Sequence, residues 1–307
     1  MSLPPSQPPT QTIELPPPFI NIPNIANLRD TGGLPSTITS SSGAPLSVRK
    51  QLFYRSADPS RLSLPSLQTL NSTHGLATIV DLRAQPEIEK AGTLASWEQT
   101  LASTQGAVTR NWVPVFTAEE YSPDKVAVRF ADYGADDGVQ GFVRAYESIL
   151  EHAGRPVRAV FERLAAPDDR AVLVHCSGGK DRAGCVVAVV LGTLGVPDER
   201  IAEEYALTEK GMSSLKGYFI DRAIRGGTFG SDEKVARPHA ERMVGAKKEA
   251  MAATLEMLRK RWGSPEQYVK EVAGVDDELI IAVRSKLLVP ATASHPLLVG
   301  SENRASL

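Results

Sequence analysis

The sequence predicts an α/β domain: a small, mostly parallel sheet of four to five strands flanked by helices, with a large helical portion towards the C-terminus. Three observations predict it. Ala171-Val172-Leu173-Val174 is a short apolar run that reads as a buried strand, and Cys185-Val186-Val187-Ala188-Val189-Val190-Leu191 just beyond it reads as a buried helix. Thr78-Ile79-Val80 is a second apolar strand, ending at Asp81, where α/β folds place ligand-contacting residues. From residue 184 onward, helical patterns follow one another without a further strand.

Taken in order, residues 1–18 are Pro-rich, with Pro4-Pro5, Pro8-Pro9 and Pro16-Pro17-Pro18, and read as a disordered or polyproline-like tail. A plain flexible tail and a site for proline-binding modules are the two readings of it. Thr37 to Ser47, rich in Ser and Gly, reads as a hairpin or loop. Strands are expected at 51–55, 77–82, 112–116 and 171–175. Helices are expected near 65–73, 138–152, 155–165, 184–194, 198–210, 212–224, 238–262, 265–273 and 276–287. Met251, Leu255, Leu258 and Trp262 repeat at helical spacing, Gly263 suits a C-terminal cap, and Ser264-Pro265-Glu266-Gln267 makes a capping box. One domain over 19–289 and a flexible tail over 290–307 complete the outline.

Composition narrows the function. Lys and Arg number 34 against 36 Asp and Glu, a net charge of −2, so no global basic field invites nucleic acid. The two cysteines form no CxxC and no Cys/His cluster, which argues against a metal site and fits a reducing compartment. The N-terminus has no basic segment followed by an apolar core, so no signal peptide is expected. The longest apolar run, Cys185 to Leu191, is far short of a membrane span. A cytoplasmic chain without stable membrane insertion is the expectation.

The chemistry concentrates between the strand and the helix, in His175-Cys176-Ser177-Gly178-Gly179-Lys180-Asp181-Arg182-Ala183-Gly184. Backbone N–H groups converge at such a turn, and the helix N-terminus adds positive potential, so a phosphate fits there. Gly178 and Gly179 let successive amides aim inward where a Cβ would hinder them. Ser177 to Lys180 therefore form the expected phosphate cradle. Arg182 offers a planar fork for two phosphoryl oxygens and stays charged. Cys176, at the base of the loop, is expected to have its thiol pKa depressed by the amides, the dipole and Arg182. A drop from about 8.5 to about 5 corresponds to roughly 5 kcal/mol of thiolate stabilisation and makes Cys176 an activated nucleophile.

Cys-x5-Arg after a strand is the signature of the protein tyrosine phosphatase superfamily. The filling here, His-Cys-x-x-Gly-Lys-Asp-Arg, resembles the atypical cysteine-dependent tyrosine/serine phosphatases of bacteria and fungi, some of which accept phosphoinositides. Asn27-Leu28-Arg29-Asp30-Thr31-Gly32-Gly33 resembles that family's opening motif. Tyr54-Arg55-Ser56 and Asp81-Leu82-Arg83 resemble its next landmarks in the same order, and the stretch from Thr254 to Leu288 resembles its closing helices. The resemblance covers residues 19 to 289. It implies a phosphatase domain that hydrolyses phosphotyrosine, and phosphoserine or phosphothreonine as well, through a phosphocysteine intermediate without metal or organic cofactor. A phosphoinositide or inositol phosphate phosphatase is the alternative, and a slow or inactive phospho-binding protein is another. One departure stands out: the family places Thr or Ser directly after the arginine, where its hydroxyl supports the departing thiolate, and this chain has Ala183.

The general acid is less sharply marked. There is no Trp-Pro-Asp, and Trp112-Val113-Pro114 carries no acid. The resemblance implies Asp181; pairing of Asp181 with Lys180 is the competing reading. Asp136 and Asp137 lie at the right sequence distance for an acid on a separate loop, or form a solvated turn. Asp81 is expected to orient an arginine. Lys180 could meet a second phosphate or stay in solvent. His175 could tune the thiolate or fix the loop backbone. Cys185 reads as a small core residue, with a disulfide to Cys176 as the other possibility. Arg225-Gly226-Gly227-Thr228-Phe229-Gly230 could hinge a segment over the site, resembling the family's helical lid, or form an exposed loop. A nucleotide-binding loop is disfavoured, because Asp181 stands where Gly-Lys would need Ser or Thr after it.

Overall fold

The computed structural model describes residues 14–291. A short strand β1 (Arg29–Asp30) leads into the hairpin β2 (Pro35–Thr39) and β3 (Pro45–Val48), and β4 (Phe53–Ser56) enters the main sheet. Helix α1 (Leu64–His74) is opened by the Ser63 side chain, which accepts from the Ser66 N–H, and closed by Gly75 in the left-handed region. It delivers the chain to β5 (Leu76–Asp81). Helices α2 (Gln85–Ala91) and α3 (Leu94–Ala102) cross to β6 (Thr109–Trp112), and α4 (Pro123–Gly134), α5 (Gln140–His152) and α6 (Gly154–Ala165) precede β7 (Ala171–His175). The helical portion follows: α7 (Asp181–Thr193), α8 (Asp198–Ala206), α9 (Thr208–Gly211), α10 (Ser213–Arg225), α11 (Glu233–Val244), α12 (Lys248–Trp262), α13 (Pro265–Glu271) and α14 (Asp277–Leu287), before β8 (Leu288–Pro290).

The main sheet has the order β1-β4-β7-β5-β6, parallel throughout except for β1. β7 lies at its centre, which is why its sequence is continuously apolar. Val172 and Val174 enter the larger core with α5, α6, α7 and α12 to α14, whereas Ala171 and Leu173 face a second core with Leu67, Leu70 and Trp97. Helices thus cover both faces, as the alternation of side chains along β7 requires. A separate antiparallel sheet, β2-β3-β8, ties the hairpin to the end of α14. The register aligns Ser56, Asp81 and His175 across three adjacent carboxyl ends, and the loop leaves the sheet at that point.

Several expectations shift. The strand expected at 112–116 is β6, four residues Thr109–Trp112, three of which are exposed. As an edge strand β6 needs only one apolar face, and the buried run after it merely continues the contact, through Val113 N–H to the Asp81 carbonyl and Val115 N–H to that of Leu82. The helix expected over 238–262 is two helices, parted at 245–247 where Gly245 takes an extended conformation. That expected over 198–210 breaks at Leu207. Helices α2 and α3 escaped the sequence because they bury little, only Ile88 in α2 and only Trp97 in α3; α4, which buries Arg129, Tyr133 and Gly134, was also not expected. The stretch 37–47 is a hairpin. Of the tails expected at 1–18 and 290–307, residues 1–13 and 292–307 lie outside the described residues. Leu15 exchanges two hydrogen bonds with the Asn21 side chain, and Pro290 is paired opposite Leu46.

Candidate active site

The loop from Cys176 to Lys180 is built from outside by its carbonyls. The Cys176 carbonyl accepts from His175 Nδ1 at 3.2 Å, and that of Ser177 from the Asp58 N–H at 3.2 Å. Asn27 Nδ2 reaches the carbonyls of Gly178 and Gly179 at 3.1 and 3.2 Å, and Arg55 Nη2 those of Gly179 and Lys180 at 2.7 and 3.1 Å. In a planar trans peptide the N–H points opposite to the C=O. Turning five consecutive carbonyls outward therefore turns the following amides inward. Among the described residues, the N–H groups of Ser177 to Lys180 donate to no protein group. Gly179 sits at φ +64°, and a Cβ there would lie 2.1 Å from the Ser56 carbonyl oxygen, so the residue can only be glycine.

Cys176 is buried at the base of this ring, 2% exposed. Arg182, one residue into α7, is held by both nitrogens of its fork on the Glu87 carboxylate; the Nη2–Oε1 distance is 2.7 Å. Burial opposes the Arg182 charge, but Glu87 outweighs it and raises the pKa well above the ordinary value. For Glu87, burial is likewise overcome, by Arg182 and the Ser177 hydroxyl, and its pKa is lowered. The Ser177 side chain is thus spent on Glu87 Oε1, at 2.7 Å, and only its backbone faces the ring.

Lys180 departs from both expectations made for it. It is 6% exposed, and its ammonium donates to the carbonyls of Met243 and, at 3.1 Å, Gly245, above the rings of Tyr133 and Phe142. It fastens the loop to the end of α11 and offers no charge to solvent. Asp181 lies at the first position of α7 with its carboxylate about a quarter exposed; Oδ1 accepts from Tyr146 at 2.8 Å and lies 3.3 Å from Lys180 Nζ. Asp136 and Asp137 are engaged elsewhere, with Arg242 at 3.2 Å and with Arg144 at 2.8 Å. Cys176 and Cys185 are both free, and burial pushes the Cys185 thiol well up.

Asp81 does orient arginines, taking Arg83 on both oxygens at 2.9 and 2.8 Å and Arg110 at 3.0 Å. Burial pushes its pKa up, but His175, Arg83 and Arg110 overcome this and hold it far below the usual carboxylate range. His175 is fully buried, and that burial lowers its pKa. The glycine-rich segment 225–230 is the turn between α10 and α11, a helical pair with its own small core of Ile220, Ala223 and Ala240. Phe229 stacks on His239 at 5.6 Å, and His239 and Arg242 both donate to the Gly134 carbonyl of α4 at 2.6 Å.

Several site residues were not foreseen, among them Asp58, Tyr146, Glu87 and Glu204. Glu87 lies in a short polar helix with no sequence signal. Glu204 is 3% exposed and bridges Arg29 at 2.7 Å and Arg55 at 2.6 Å. Its signal was an acid sharing the buried face of α8 with Ile201, Ala202 and Tyr205.

The sequence pattern of the tyrosine phosphatase family matches residues 20–289. The chain belongs to that family. It is similar to a tyrosine-protein phosphatase of Nostoc commune, 27% identical over 239 residues, which are 76% of this chain and 74% of that protein. It is also similar to a triple specificity protein phosphatase of Mycobacterium tuberculosis, 30% identical over 140 residues, 44% of this chain and 50% of that one. The protein is a cysteine-based protein phosphatase, a hydrolase of phosphoric monoesters, and its substrates are phosphoproteins. No helix among the described residues is long and apolar enough to cross a membrane.

The site makes the fold acid-labile in a defined window. Asp81, Glu87 and Glu204 all have lowered pKa values in the folded state. Their contribution is full above the unfolded carboxylate values, about 4, and is lost as pH falls further towards the folded values. Thermal unfolding followed by circular dichroism is expected to give a midpoint that falls gently between about pH 7 and 5, as the buried His175 resists the proton that the unfolded chain accepts, and steeply below about pH 4. A midpoint unchanged down to about pH 3 would mean that these carboxylates do not hold the fold.

Proposed function

We propose that this phosphatase hydrolyses phosphotyrosine, and phosphoserine or phosphothreonine in addition, through a phosphocysteine formed on Cys176. The observation that carries the reading is the ring of unpaired inward amides from Ser177 to Lys180, with Cys176 at its base and Arg182 beside it. The Cys176 thiolate attacks phosphorus in line and forms an S–P bond as the P–O ester bond breaks. The amides and Arg182 hold the equatorial oxygens as charge redistributes. Asp181 gives its proton to the leaving oxygen. Water then attacks the phosphocysteine, Asp181 takes a proton from it, and the S–P bond breaks to return thiolate and inorganic phosphate. The burial of Lys180 weighs for a monophosphorylated side chain over an inositol polyphosphate, since the cation next to the loop is turned away from any second phosphate.

Cys176→Ser is expected to abolish turnover while retaining weak phosphate binding, and Asp181→Asn to slow leaving-group release from phosphotyrosine in single turnovers by about 10²-fold or more while sparing that from an activated aryl phosphate. Near-normal turnover in the serine variant would refute the covalent route, and equal slowing of both substrates would refute Asp181 as the acid.

Ala183 is fully buried in the core and brings no hydroxyl to the sulfur. Breakdown of phosphocysteine is therefore expected to limit turnover of good leaving groups. Rapid mixing with an activated aryl phosphate should show a burst approaching one equivalent of alcohol per enzyme. Ala183→Thr should shrink the burst and raise the steady rate, because a hydrogen bond to a charged group contributes about 1.5–3 kcal/mol, tenfold or more. No burst and an unchanged rate would show that another group supports the thiolate.

A further inference from the structure

Tyr146 on α5 and Tyr205 on α8 are both fully buried, yet their hydroxyls are 2.6 Å apart and lead to the loop. Their direction is fixed by chemistry. A carboxylate oxygen only accepts, so the Tyr146 hydrogen points at Asp181 Oδ1, 2.8 Å away. The Tyr146 oxygen is then free to accept, and the Tyr205 hydroxyl donates to it. Tyr205 → Tyr146 → Asp181 is a one-way chain of donors. The rings cannot swing to other partners: Tyr146 meets Tyr133, Phe142 and Tyr205 edge-on at 6.1, 5.9 and 6.1 Å. Tyr205 lies against Gly184, where a Cβ would already be 3.1 Å from its ring.

The consequence falls on one oxygen. Oδ1 of Asp181 receives the Tyr146 hydrogen and lies 3.3 Å from the Lys180 ammonium, so both groups disfavour a proton there. A proton carried by this carboxyl sits on Oδ2. We propose that Tyr146, backed by Tyr205, is a positioning residue for the phosphatase reaction: it locks the Asp181 carboxyl in rotation and reserves Oδ2 for proton transfer with the leaving group and then with water. The inference rests on Asp181 as the acid and base. Burial raises the pKa of both tyrosines well above the ordinary value, so the donors persist across the working pH range.

The test follows leaving-group release in single turnovers, so that slow phosphocysteine breakdown does not mask the first step. Tyr146→Phe removes one hydroxyl and keeps the ring. It is expected to slow phosphotyrosine about tenfold and an activated aryl phosphate about twofold or less, and to cause no further loss in an Asp181→Asn background. Equal slowing of both substrates, or a loss that adds in full to that of Asp181→Asn, would overturn the inference while leaving Asp181 as the acid. If Asp181→Asn itself slows both substrates alike, the acid assignment falls and the inference falls with it. Should Tyr146→Phe fail to fold, Tyr205→Phe carries the same test: it is expected to show the same substrate split with a smaller loss, and no split would overturn the proposal.

Discussion

Glu204, buried between two arginines, is the interaction on which the site depends. One of its oxygens takes Arg29 and the other takes Arg55, each guanidinium being wholly buried. Two cations against one anion leave a buried excess of positive charge, which only further acceptors can absorb. Arg29 finds them in the Glu204 carbonyl at 3.1 Å and the Thr208 hydroxyl at 3.0 Å, and Arg55 in the carbonyls of Gly179 and Lys180. Burial still pulls the Arg29 pKa down to about 10, too little to discharge it at neutral pH. Satisfying the excess charge is what grips the loop. The need to pair a buried arginine and the need to turn loop carbonyls outward are met by the same two hydrogen bonds.

The cluster also explains how segments far apart in sequence serve one loop. Asn27 and Arg29 come from the N-terminal motif, Arg55 from β4 and Glu204 from α8, and all meet behind residues 178–180. On the other flank Asp81 holds Arg83, Arg83 holds Asp58 at 2.5 Å, and the Asp58 N–H holds the Ser177 carbonyl. Glu87 aims Arg182. The loop is therefore formed before any substrate arrives, with its donors already oriented, which is the condition under which fixed dipoles are most effective for transition-state charge.

What the sequence revealed follows the range of the interactions involved. The loop, β7 and α7 were legible because their signals are local: an apolar run, a glycine pair and a cysteine spaced from an arginine. Arg55 and Arg29 were legible as members of motifs, but their purpose was not, since it depends on Glu204 about 150 residues away. Glu87 stayed hidden because a solvated polar helix and an arginine-orienting one have the same composition. Lys180 misled for the opposite reason. A lysine in a polar loop reads as exposed, and nothing nearby announces that the carbonyls at the end of α11 will cover it. The edge strand β6 and helices α2 and α3 were misplaced or missed because they bury too little to impose a period on their residues.

The grip of Arg55 on the carbonyls of Gly179 and Lys180 prebuilds the phosphate loop. The direct measurement is the affinity of an Arg55→Lys variant for inorganic phosphate, taken alongside its circular dichroism. Lysine keeps the charge opposite Glu204 but has no fork with which to reach Gly179 and Lys180 at the same time. The variant is expected to fold and to lose phosphate affinity about tenfold or more, in line with the loss of hydrogen bonds from a charged donor. A folded variant that binds phosphate as tightly as the wild type would contradict this role of Arg55.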